Sequence, residues 1–398
     1  MKELIMVKYG EIALKGINKK TFEDMLQSNI KRRLKKLGQF GYERMQSTIY
    51  IEPLDEDSDV DEAVEALKKV FGIGAIQKCA VYPKDIETVK ANLGEYLSDT
   101  LENAKTFKIE AKRADKTFPL TSPEIQQQLG DAVLDAFPNI GVDVHSPEVT
   151  VRLEVRDNGA YLSAKRITGA GGMPVGSSGK ALLMLSGGID SPAAGYMMAK
   201  RGLVVDCIHY ISPPYTSNMA LTKVRKLCEE MTEFCGDIMF YCVPFTEIQE
   251  AIRDNCPEEY FTVIMRRLMV KIANWFCKKD GYGAIITGES LAQVASQTLR
   301  AIGCTNAAAE LPIFRPLIGM DKIEITDIAR KIGTFETSIL PYEDCCTVFS
   351  PKHPRTKPHL EDVLKAESAF DFEPLIKKAI TGTTVTRYKY GEETVFLE

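Results

Sequence analysis

The chain has 398 residues, 44% of them hydrophobic and 26% charged, and its formal net charge is −5 at pH 7. This composition is typical of globular proteins and excludes a disordered or fibrous chain, while the length favours roughly two or three domains. The longest uncharged segment, residues 207–222, contains two prolines and is shorter than the roughly 20 apolar residues of a membrane span. Charges also interrupt the first residues where a signal peptide would be apolar, so we expect a cytoplasmic protein with no membrane segment.

The N-terminal region is basic although the whole chain is acidic. Residues 1–50 carry eleven Lys or Arg against five Asp or Glu, including the run Lys31-Arg32-Arg33. Such a block is either a solvated helix face or a surface for an anionic partner. An acidic segment at residues 53–62 follows it and indicates a domain boundary.

The next region mixes strands and helices. Residues 107–113 and 149–156 alternate apolar and polar side chains, as half-buried strands do. Between them, residues 122–137 have the apolar spacing of a helix that begins with a Ser122 cap and a proline. This pattern predicts an α+β domain. The Gly-rich residues 167–180 then form a linker or an ordered loop.

After residue 180 the pattern changes to alternating strand and helix. Continuous apolar segments at residues 181–185, 203–210, 237–244 and 282–288 predict strands, with helical segments between them. Buried apolar strands with intervening helices indicate a doubly wound parallel sheet. In such sheets the ligand site lies beyond the carboxyl ends of the strands.

The segment SGGIDSP, residues 186–192, follows the first of these strands. Its two glycines permit close approach of a ligand, Ser191 can cap the next helix, and Pro192 suits its first turn. A glycine turn at a helix N-terminus predicts an anion cradle. It matches neither the Walker A pattern nor GxGxxG. SGGxDS is instead the pyrophosphate loop of the ATP pyrophosphatases, in which Asp190 would hold a magnesium ion that bridges the phosphates.

The cysteines divide into two kinds. Cys207, Cys242 and Cys277 lie in apolar segments, which predicts buried thiols. The sequence contains no CxxC pair, so we expect neither a structural zinc site nor an iron–sulfur cluster. Cys345 and Cys346 are adjacent in the polar, proline-bounded segment PYEDCCTVFSP, which favours accessible thiols.

Several motifs together resemble the tRNA 4-thiouridine synthetase (tRNA sulfurtransferase) family. They are GEIALKG, FGIGAI, FKIEAKRADKTFP, GGMPVGSSGKALLMLSGGIDSP, TGESLAQVASQT and RPLIGMDKIEI. The resemblance implies a ferredoxin-like domain at residues 1–58, a tRNA-binding THUMP domain at 59–166, a linker at 167–180 and a PP-loop ATP pyrophosphatase domain at 181–398. Some members end in a rhodanese-like domain, and the segment after Lys322 is too short for one, so we expect the form without it.

The reaction implied by this resemblance is ATP-dependent thiolation of uridine 8 in tRNA, with sulfur delivered as a persulfide from a cysteine desulfurase. Family members also supply sulfur for the thiazole of thiamine, and the family suggests a homodimer. The ATP site that it implies comprises Met184, Leu185, Ser186, Gly187, Gly188, Asp190, Ser191, His209, Tyr210, Arg266, Gly288 and Gln297. Cys346 aligns with the reactive cysteine, Cys345 is a candidate resolving thiol, and Lys322 would act near the uridine. Magnesium ligands beyond Asp190 are not predicted.

For several of these residues the pattern leaves two interpretations open. His209 ends an apolar strand, where a histidine is either packed or part of a ligand site. Arg266 lies in a helix that is apolar almost all round, so it needs a carboxylate or a phosphate as a partner. Gln293 and Gln297 are four residues apart, which predicts one face of a helix.

Two other functions fit parts of the sequence. An adenylating synthetase of the same fold that uses ammonia would depend neither on cysteine nor on the first 170 residues. A non-catalytic tRNA-binding protein with a degenerate nucleotide fold is the second, although an intact SGGIDS argues against it.

Overall fold

The computed structural model describes residues 2–342, 345, 348, 349, 351–391 and 395–397. The chain forms two compact units, Met1–Met173 (unit 1) and Pro174–Glu398 (unit 2). No helix within the described residues is long and apolar enough to cross a lipid bilayer. The nine cysteines that the structure describes are all buried and free of disulfides.

Unit 1 is built on one mixed sheet with helices between its strands. Its elements are β1 (Glu3–Tyr9), α1 (Lys19–Leu34), β2 (Phe40–Met45), β3 (Thr48–Pro53), α2 (Val60–Leu67), β4 (Ile73–Tyr82), α3 (Ile86–Leu101), β5 (Thr106–Arg113), α4 (Ser122–Ala136), β6 (Gly141–Val142), β7 (Val149–Arg156), β8 (Gly159–Ser163) and β9 (Ile167–Thr168). The strand order is β2-β3-β1-β4-β8-β7-β5-β6, and β9 also pairs with β4. The sheet is therefore continuous across both halves of unit 1.

Two hydrophobic cores lie against this sheet. In the first, Ile5 of β1 packs with Leu26 of α1 and Leu67 of α2. The expected domain boundary after residue 58 precedes α2, whose apolar face belongs to this first core. In the second, Leu93 of α3 and Leu129 of α4 are fully covered by the sheet.

The strands predicted at residues 107–113 and 149–156 are confirmed as β5 and β7. Helix α4 is confirmed as well, but its cap is Thr121 and not Ser122. Thr121 accepts a hydrogen bond from the Glu124 amide, and the Glu124 carboxylate bonds back to the Thr121 amide. This reciprocal pair satisfies two amides that a Ser122 cap would leave without partners.

The basic run at the end of α1 is only partly exposed. Lys31 and Arg32 face solvent, whereas Arg33 is 7% exposed. The Lys31 ammonium lies 5.2 Å from the ring centre of Tyr42 on β2. The solvated side of the helix therefore carries Lys31 and Arg32 but not Arg33.

Unit 2 is an α/β domain. Its elements are β10 (Lys180–Met184), α5 (Asp190–Lys200), β11 (Val204–Ile211), α6 (Asn218–Cys235), β12 (Ile238–Pro244), α7 (Thr246–Asn255), α8 (Phe261–Asp280), β13 (Ala284–Ile286), α9 (Leu299–Asn306), β14 (Ile313–Phe314), α10 (Lys322–Lys331), α11 (Phe335–Ser338), α12 (Leu360–Glu367), α13 (Glu373–Thr381), β15 (Thr384–Tyr388) and β16 (Val395–Leu397). The strand order is β14-β13-β10-β11-β12-β15-β16.

The first five strands of this order are mutually parallel, which confirms the doubly wound sheet. All four predicted strands are present, as β10, β11, β12 and β13. The antiparallel edge formed by β15 and β16 was not predicted. The sequence of β15, TVTRY, lacks the continuous apolar run that is typical of a buried parallel strand.

Helix α8 is the buried helix of unit 2, as its apolar sequence predicts. Met265, Leu268 and Ile272 are fully covered, but Trp275 is 42% exposed. The Lys279 ammonium lies 5.4 Å from the Trp275 ring centre, so one face of the indole is partly covered by a charged side chain.

Candidate active site

A cavity of about 390 Å³ lies at the carboxyl ends of β10, β11 and β13. The parallel register places Met184 beside Ile208 and Leu183 beside Ile286, so these three strands end at the same edge of the sheet. The cavity is lined by Met184, Leu185, Ser186, Gly188, Asp190, Ser191, His209, Tyr210, Arg266, Met269, Val270, Thr287, Gly288, Glu289, Val294, Gln297, Thr305 and Cys345. Of the predicted nucleotide residues, only Gly187, which lies in the same loop, is outside this lining.

The loop between β10 and α5 closes on itself through two serines. Ser191 Oγ accepts a hydrogen bond from the Ser186 amide at 2.9 Å and lies 3.0 Å from Ser186 Oγ. The sequence predicts Ser191 as the helix cap, and this is wrong, because α5 begins at Asp190 and the hydroxyl bonds backward across the turn. The two hydroxyls therefore hold the loop in a compact shape beside the cavity.

Gly288 allows the segment after β13 to approach this loop. A Cβ at position 288 would lie 2.7 Å from the Ser191 amide nitrogen and 2.8 Å from the Asp190 carbonyl carbon, closer than real contacts allow. Any side chain there would push the two segments apart. Gly288 is thus required by packing at the same place where a nucleotide contact is predicted.

His209 is both a packed residue and part of the cavity wall. It is 5% exposed, and its Nδ1 lies 2.9 Å from the Leu185 carbonyl oxygen. A carbonyl only accepts hydrogen bonds, so Nδ1 carries the proton. The neighbouring Tyr210 hydroxyl donates to the Met269 carbonyl at 2.6 Å, which joins β11 to α8.

Arg266 and Arg267 both have carboxylate partners. Arg267 is buried and donates to Glu367 at 2.5 Å and to the Cys304 carbonyl at 2.7 Å. Arg266 lines the cavity and forms an ion pair with Glu289. The need of a buried arginine for an anionic partner is confirmed, and a carboxylate is present in both cases.

The predicted helix carrying Gln293 and Gln297 is wrong. Residues 287–294 are irregular, and only a short 3₁₀ turn, Ala295–Gln297, follows. Ala292 has a φ of 64°, and its amide bonds to the Gln297 carbonyl at 2.9 Å, so the chain reverses direction here. Since no helix forms, the side chains of Gln293 and Gln297 do not share a face and have different surroundings.

The side-chain oxygen of Gln297 indicates that the cavity suits a hydrogen-bond donor. Gln297 is 6% exposed and lines the cavity, and its Oε1 is buried without a hydrogen-bond partner. A buried acceptor without a donor costs about 1–3 kcal/mol. An N–H group of a bound molecule would remove that cost.

Gln293 instead meets Asp190. Its amide Nε2 donates to Asp190 Oδ2 at 3.1 Å, and the Lys322 ammonium donates to Asp190 Oδ1 at 3.0 Å. Lys322 is the first residue of α10, where Asp321 and Glu324 form a capping box. Asp190, predicted to hold magnesium, and Lys322, predicted to act near the uridine, are therefore in direct contact at the cavity.

The cysteines differ from expectation in one respect. Cys207, Cys242 and Cys277 are buried as predicted, and burial raises the pKa of Cys242 to about 11 and that of Cys277 to about 12. Cys345 was expected to be accessible but is 4% exposed and lines the cavity. Its carbonyl accepts a hydrogen bond from buried Gln249 at 2.8 Å, which holds this part of the segment in the core. Cys346 lies outside the described residues.

Sequence reasoning missed one charged residue of the site. Glu289 is 3% exposed, lines the cavity and directly follows Gly288 in the motif TGES. Its position could have identified it, because Glu289 directly follows an apolar strand of a doubly wound sheet, where ligand sites lie. Among the described residues, no group of three or more His, Cys, Asp and Glu is arranged to hold a metal ion.

Family models match most of the chain. The ThiI ferredoxin-like domain matches residues 4–76, the THUMP domain residues 83–165, and the Thiamine biosynthesis protein (ThiI) residues 176–372. A probable tRNA sulfurtransferase of Acetivibrio thermocellus is 51% identical over 392 residues, which cover 97% of this chain and 100% of that protein. This chain belongs to the tRNA sulfurtransferase family.

Other members of the tRNA sulfurtransferase family agree with this assignment. A probable tRNA sulfurtransferase of Alkaliphilus metalliredigens is 46% identical over 395 residues, 99% of this chain and 100% of that protein. The crystal structure of a 4-thiouridine synthetase–RNA complex with bound ATP superposes with a TM-score of 0.90 at 36% identity, covering 98% of this chain and 100% of that chain. The fold is therefore that of the family, with ferredoxin-like, THUMP and PP-loop parts.

Proposed function

We propose that this sulfurtransferase uses ATP to convert uridine 8 of tRNA to 4-thiouridine. The observation that carries the proposal is the cavity itself, where the SGGIDS loop, Asp190 and Arg266 surround a space that also contains the unpartnered Gln297 oxygen. A buried acceptor suits an amino group such as that of adenine, and a glycine turn at a helix N-terminus suits phosphates. The 36% identical 4-thiouridine synthetase, which was crystallised with RNA and ATP, supports this assignment.

In the proposed complex, adenine lies near Gln297 and the backbone of Met184 and Leu185. The phosphates lie on residues 186–191, where α5 begins with Asp190. Arg266, His209 and Gly288 complete the wall around the nucleotide. The Nδ1 proton of His209 is donated to the Leu185 carbonyl, so this proton is not available to the nucleotide.

The residues present fit a magnesium ion held chiefly by phosphates. Magnesium is commonly bound by one or two carboxylates together with substrate phosphates, and Asp190 presents one carboxylate at the cavity. We assign that ligand role to Asp190. When bound, the ion would neutralise charge on the pyrophosphate leaving group.

The chemistry that we propose has three displacements. The uridine O4 attacks the α-phosphorus, so an O4–P bond forms, the bridging P–O bond breaks and pyrophosphate leaves. The terminal sulfur of a persulfide on Cys346 then attacks C4, and the C4–O bond to AMP breaks. A second thiol attacks the Cys346 sulfur, which releases 4-thiouridine and leaves a disulfide that a thiol reductant returns to two thiols.

Lys322 and Cys345 have supporting roles in this scheme. Lys322 is 56% exposed at its side chain, so it can leave Asp190 and stabilise negative charge near the base. Cys345 lines the cavity and is the candidate second thiol, with another cysteine of unit 2 or an external reductant as alternatives. The persulfide comes from a cysteine desulfurase.

The resemblance to the family also supports three further proposals: that tRNA binds through unit 1, that the enzyme is a homodimer, and that the same persulfide supplies sulfur for the thiazole of thiamine. From the charged N-terminal residues we propose that it acts in the cytoplasm. We also propose the domain limits 1–58, 59–166 and 181–398, with residues 167–180 as the connecting segment.

The direct test is incubation of the full chain with tRNA, ATP, magnesium, a cysteine desulfurase and cysteine, followed by nucleoside analysis for 4-thiouridine. We expect one 4-thiouridine per tRNA, at position 8, with AMP and pyrophosphate formed in equal amounts. Product formation from ammonia without tRNA would favour the ammonia-using synthetase. RNA binding without ATP–pyrophosphate exchange would favour the non-catalytic protein.

A further inference from the structure

Glu289 links two arginines at the wall of the cavity. Its Oε1 pairs with Arg266 Nη1, and its Oε2 accepts from Arg315 Nε at 2.7 Å and from Thr287 Oγ1 at 3.0 Å. Both carboxylate oxygens are therefore occupied by guanidinium groups. Glu289 is 3% exposed, so these contacts form away from bulk water, where charge-assisted hydrogen bonds are strong.

The three charged residues come from different elements of unit 2. Arg266 projects from the first half of α8, Glu289 follows β13, and Arg315 follows β14. Arg315 is held in turn by Asn306 of α9, whose Oδ1 accepts from Arg315 Nη1 at 3.1 Å. Because a guanidinium is planar, a carboxylate bonded to it restricts both its position and its orientation.

Arg315 is held in place at some cost to stability. Arg315 Nη2 is buried without a hydrogen-bond partner, which is unfavourable. Arg315 is absent from the cavity lining, whereas Arg266 and Glu289 both belong to it. Arg315 therefore supports Glu289 from behind, and Glu289 in turn supports the arginine that faces the cavity.

A second carboxylate that binds an arginine of α8, Glu367 at the end of α12, provides an internal comparison. Glu367 accepts from Arg267 at 2.5 Å and from Lys271 at 2.6 Å, and it is 8% exposed. Glu289 and Glu367 are thus both buried carboxylates that bridge two cations and hold adjacent arginines of α8. Only the Glu289 group reaches the cavity.

We propose that Glu289 is a positioning residue that holds Arg266 against the phosphates of the bound nucleotide. This inference rests on the proposed function, since it requires ATP in the cavity. Two arginines and one carboxylate leave a net positive charge, so the wall still attracts an anion. The carboxylate also restricts the rotamers of Arg266 before the nucleotide binds, so Arg266 loses less side-chain entropy on binding.

Removal of the Glu289 charge has two opposing effects. It takes a negative charge away from an anion site, and it also leaves two largely buried arginines without their counter-ion. A glutamine at this position keeps one acceptor oxygen, and its amide nitrogen, a donor, would face the guanidinium that the second carboxylate oxygen now binds. Arginines in that state move toward other partners or water, so we expect the loss of orientation to exceed the electrostatic gain.

The test compares Glu289→Gln with Glu367→Gln in the full chain. Binding of α,β-methylene ATP is measured by calorimetry, and the unfolding temperature of each variant is measured in parallel. We expect both variants to melt earlier, but only Glu289→Gln to bind the analogue more weakly, by about tenfold or more. Equal affinities of the two folded variants would overturn the proposal.

A double-mutant cycle with Arg266→Met separates positioning from general damage. If Glu289 acts through Arg266, then Glu289→Gln causes no further loss of affinity in the Arg266→Met background. Additive losses would contradict the proposal.

A shorter carboxylate provides a second test if Glu289→Gln fails to fold. Glu289→Asp keeps the charge but is too short to span both guanidiniums. Its expected affinity is intermediate, and wild-type affinity would overturn the proposal.

The same measurements distinguish this inference from the proposed function. If the wild-type chain neither binds the analogue nor forms 4-thiouridine, the function is wrong. If the wild type does both and Glu289→Gln matches Glu367→Gln, only the positioning role is wrong.

Discussion

The ammonium of Lys322 donates a hydrogen bond to Asp190 Oδ1 at 3.0 Å, although the two residues are 132 positions apart. Each is the first residue of its helix, Asp190 of α5 and Lys322 of α10. The Gln293 amide occupies the other carboxylate oxygen at 3.1 Å. Asp190 is thereby held in one orientation by two segments that follow different strands of the sheet.

Replacement of Asp190 by asparagine should abolish most adenylation. The variant keeps the shape of the side chain and can still contact Lys322, but it lacks the charge assigned to metal binding. We expect ATP–pyrophosphate exchange to fall by about 100-fold or more with little change in the unfolding temperature. Asp237→Asn is the matched control, because Asp237 pairs with Arg387 at the amino end of β12, away from the cavity. Exchange at the wild-type rate in Asp190→Asn would reduce Asp190 to a structural role.

Replacement of Gln297 by methionine should weaken nucleotide binding without destabilising the protein. The Gln297 oxygen has no protein partner to lose, so the unfolding free energy should stay constant or rise. The affinity for ATP should fall by about tenfold. Gln249→Met is the control, since both amide atoms of that buried glutamine are bonded, to Ser212 and to the Cys345 carbonyl. It should cost about 1–3 kcal/mol of stability. Loss of stability in Gln297→Met would show that its oxygen has a protein partner.

Replacement of Ala292 by glycine should stabilise unit 2. The φ of 64° at Ala292 lies in the left-handed region, which costs a residue with a Cβ about 1–2 kcal/mol. Glycine removes that cost but loses more chain entropy on folding, so we expect a net gain of about 0.5–1 kcal/mol in urea unfolding. Ala295→Gly, in the adjoining 3₁₀ turn, should lower stability by a similar amount. A destabilised Ala292→Gly variant would mean that the turn is not strained.

Charge reversal on α1 should weaken tRNA binding. Lys31 and Arg32 face solvent, so Lys31→Glu with Arg32→Glu changes the surface without disturbing the core. We expect weaker binding and a salt dependence whose logarithmic slope is smaller by about 2. Arg33 is left unchanged because it is buried. The control is a double variant of unit 2, Lys365→Glu with Lys377→Glu, which makes the same charge change at two exposed residues. Equal affinities of the two double variants would remove α1 from the interface.

Replacement of Cys346 by serine should abolish 4-thiouridine formation while tRNA binding and adenylation stay near wild type. The expectation rests on the proposed persulfide, which serine cannot form. Cys345→Ser should have a milder effect, and Cys242→Ser should have none, because burial raises the pKa of Cys242 to about 11 and keeps it protonated. If Cys346→Ser forms 4-thiouridine at the normal rate, sulfur reaches the base directly from the desulfurase or as free sulfide.

The amino-acid sequence by itself determined the local structure of this protein. The strands at residues 149–156 and 181–185, the helix after Ser122 and the SGGIDSP loop were all predicted, because each depends on periodicity or on conformational preferences within a few residues. Because the parallel strands were predicted in this way, the site could also be expected at their carboxyl ends. Local preference was insufficient at residues 287–298, where a turn at Ala292 replaces the expected helix.

Only the tertiary structure decided which distant side chains meet and which are covered. Arg33 and Cys345 lie in segments with a polar sequence, yet both are buried, because exposure depends on what packs over a residue and not on its neighbours in the chain. Glu289 was not predicted at all, since its partners Arg266 and Arg315 come from α8 and from the end of β14. Ion pairs of this kind form when the sheet brings loop ends together, and the energy of each contact depends on distances that no sequence pattern contains.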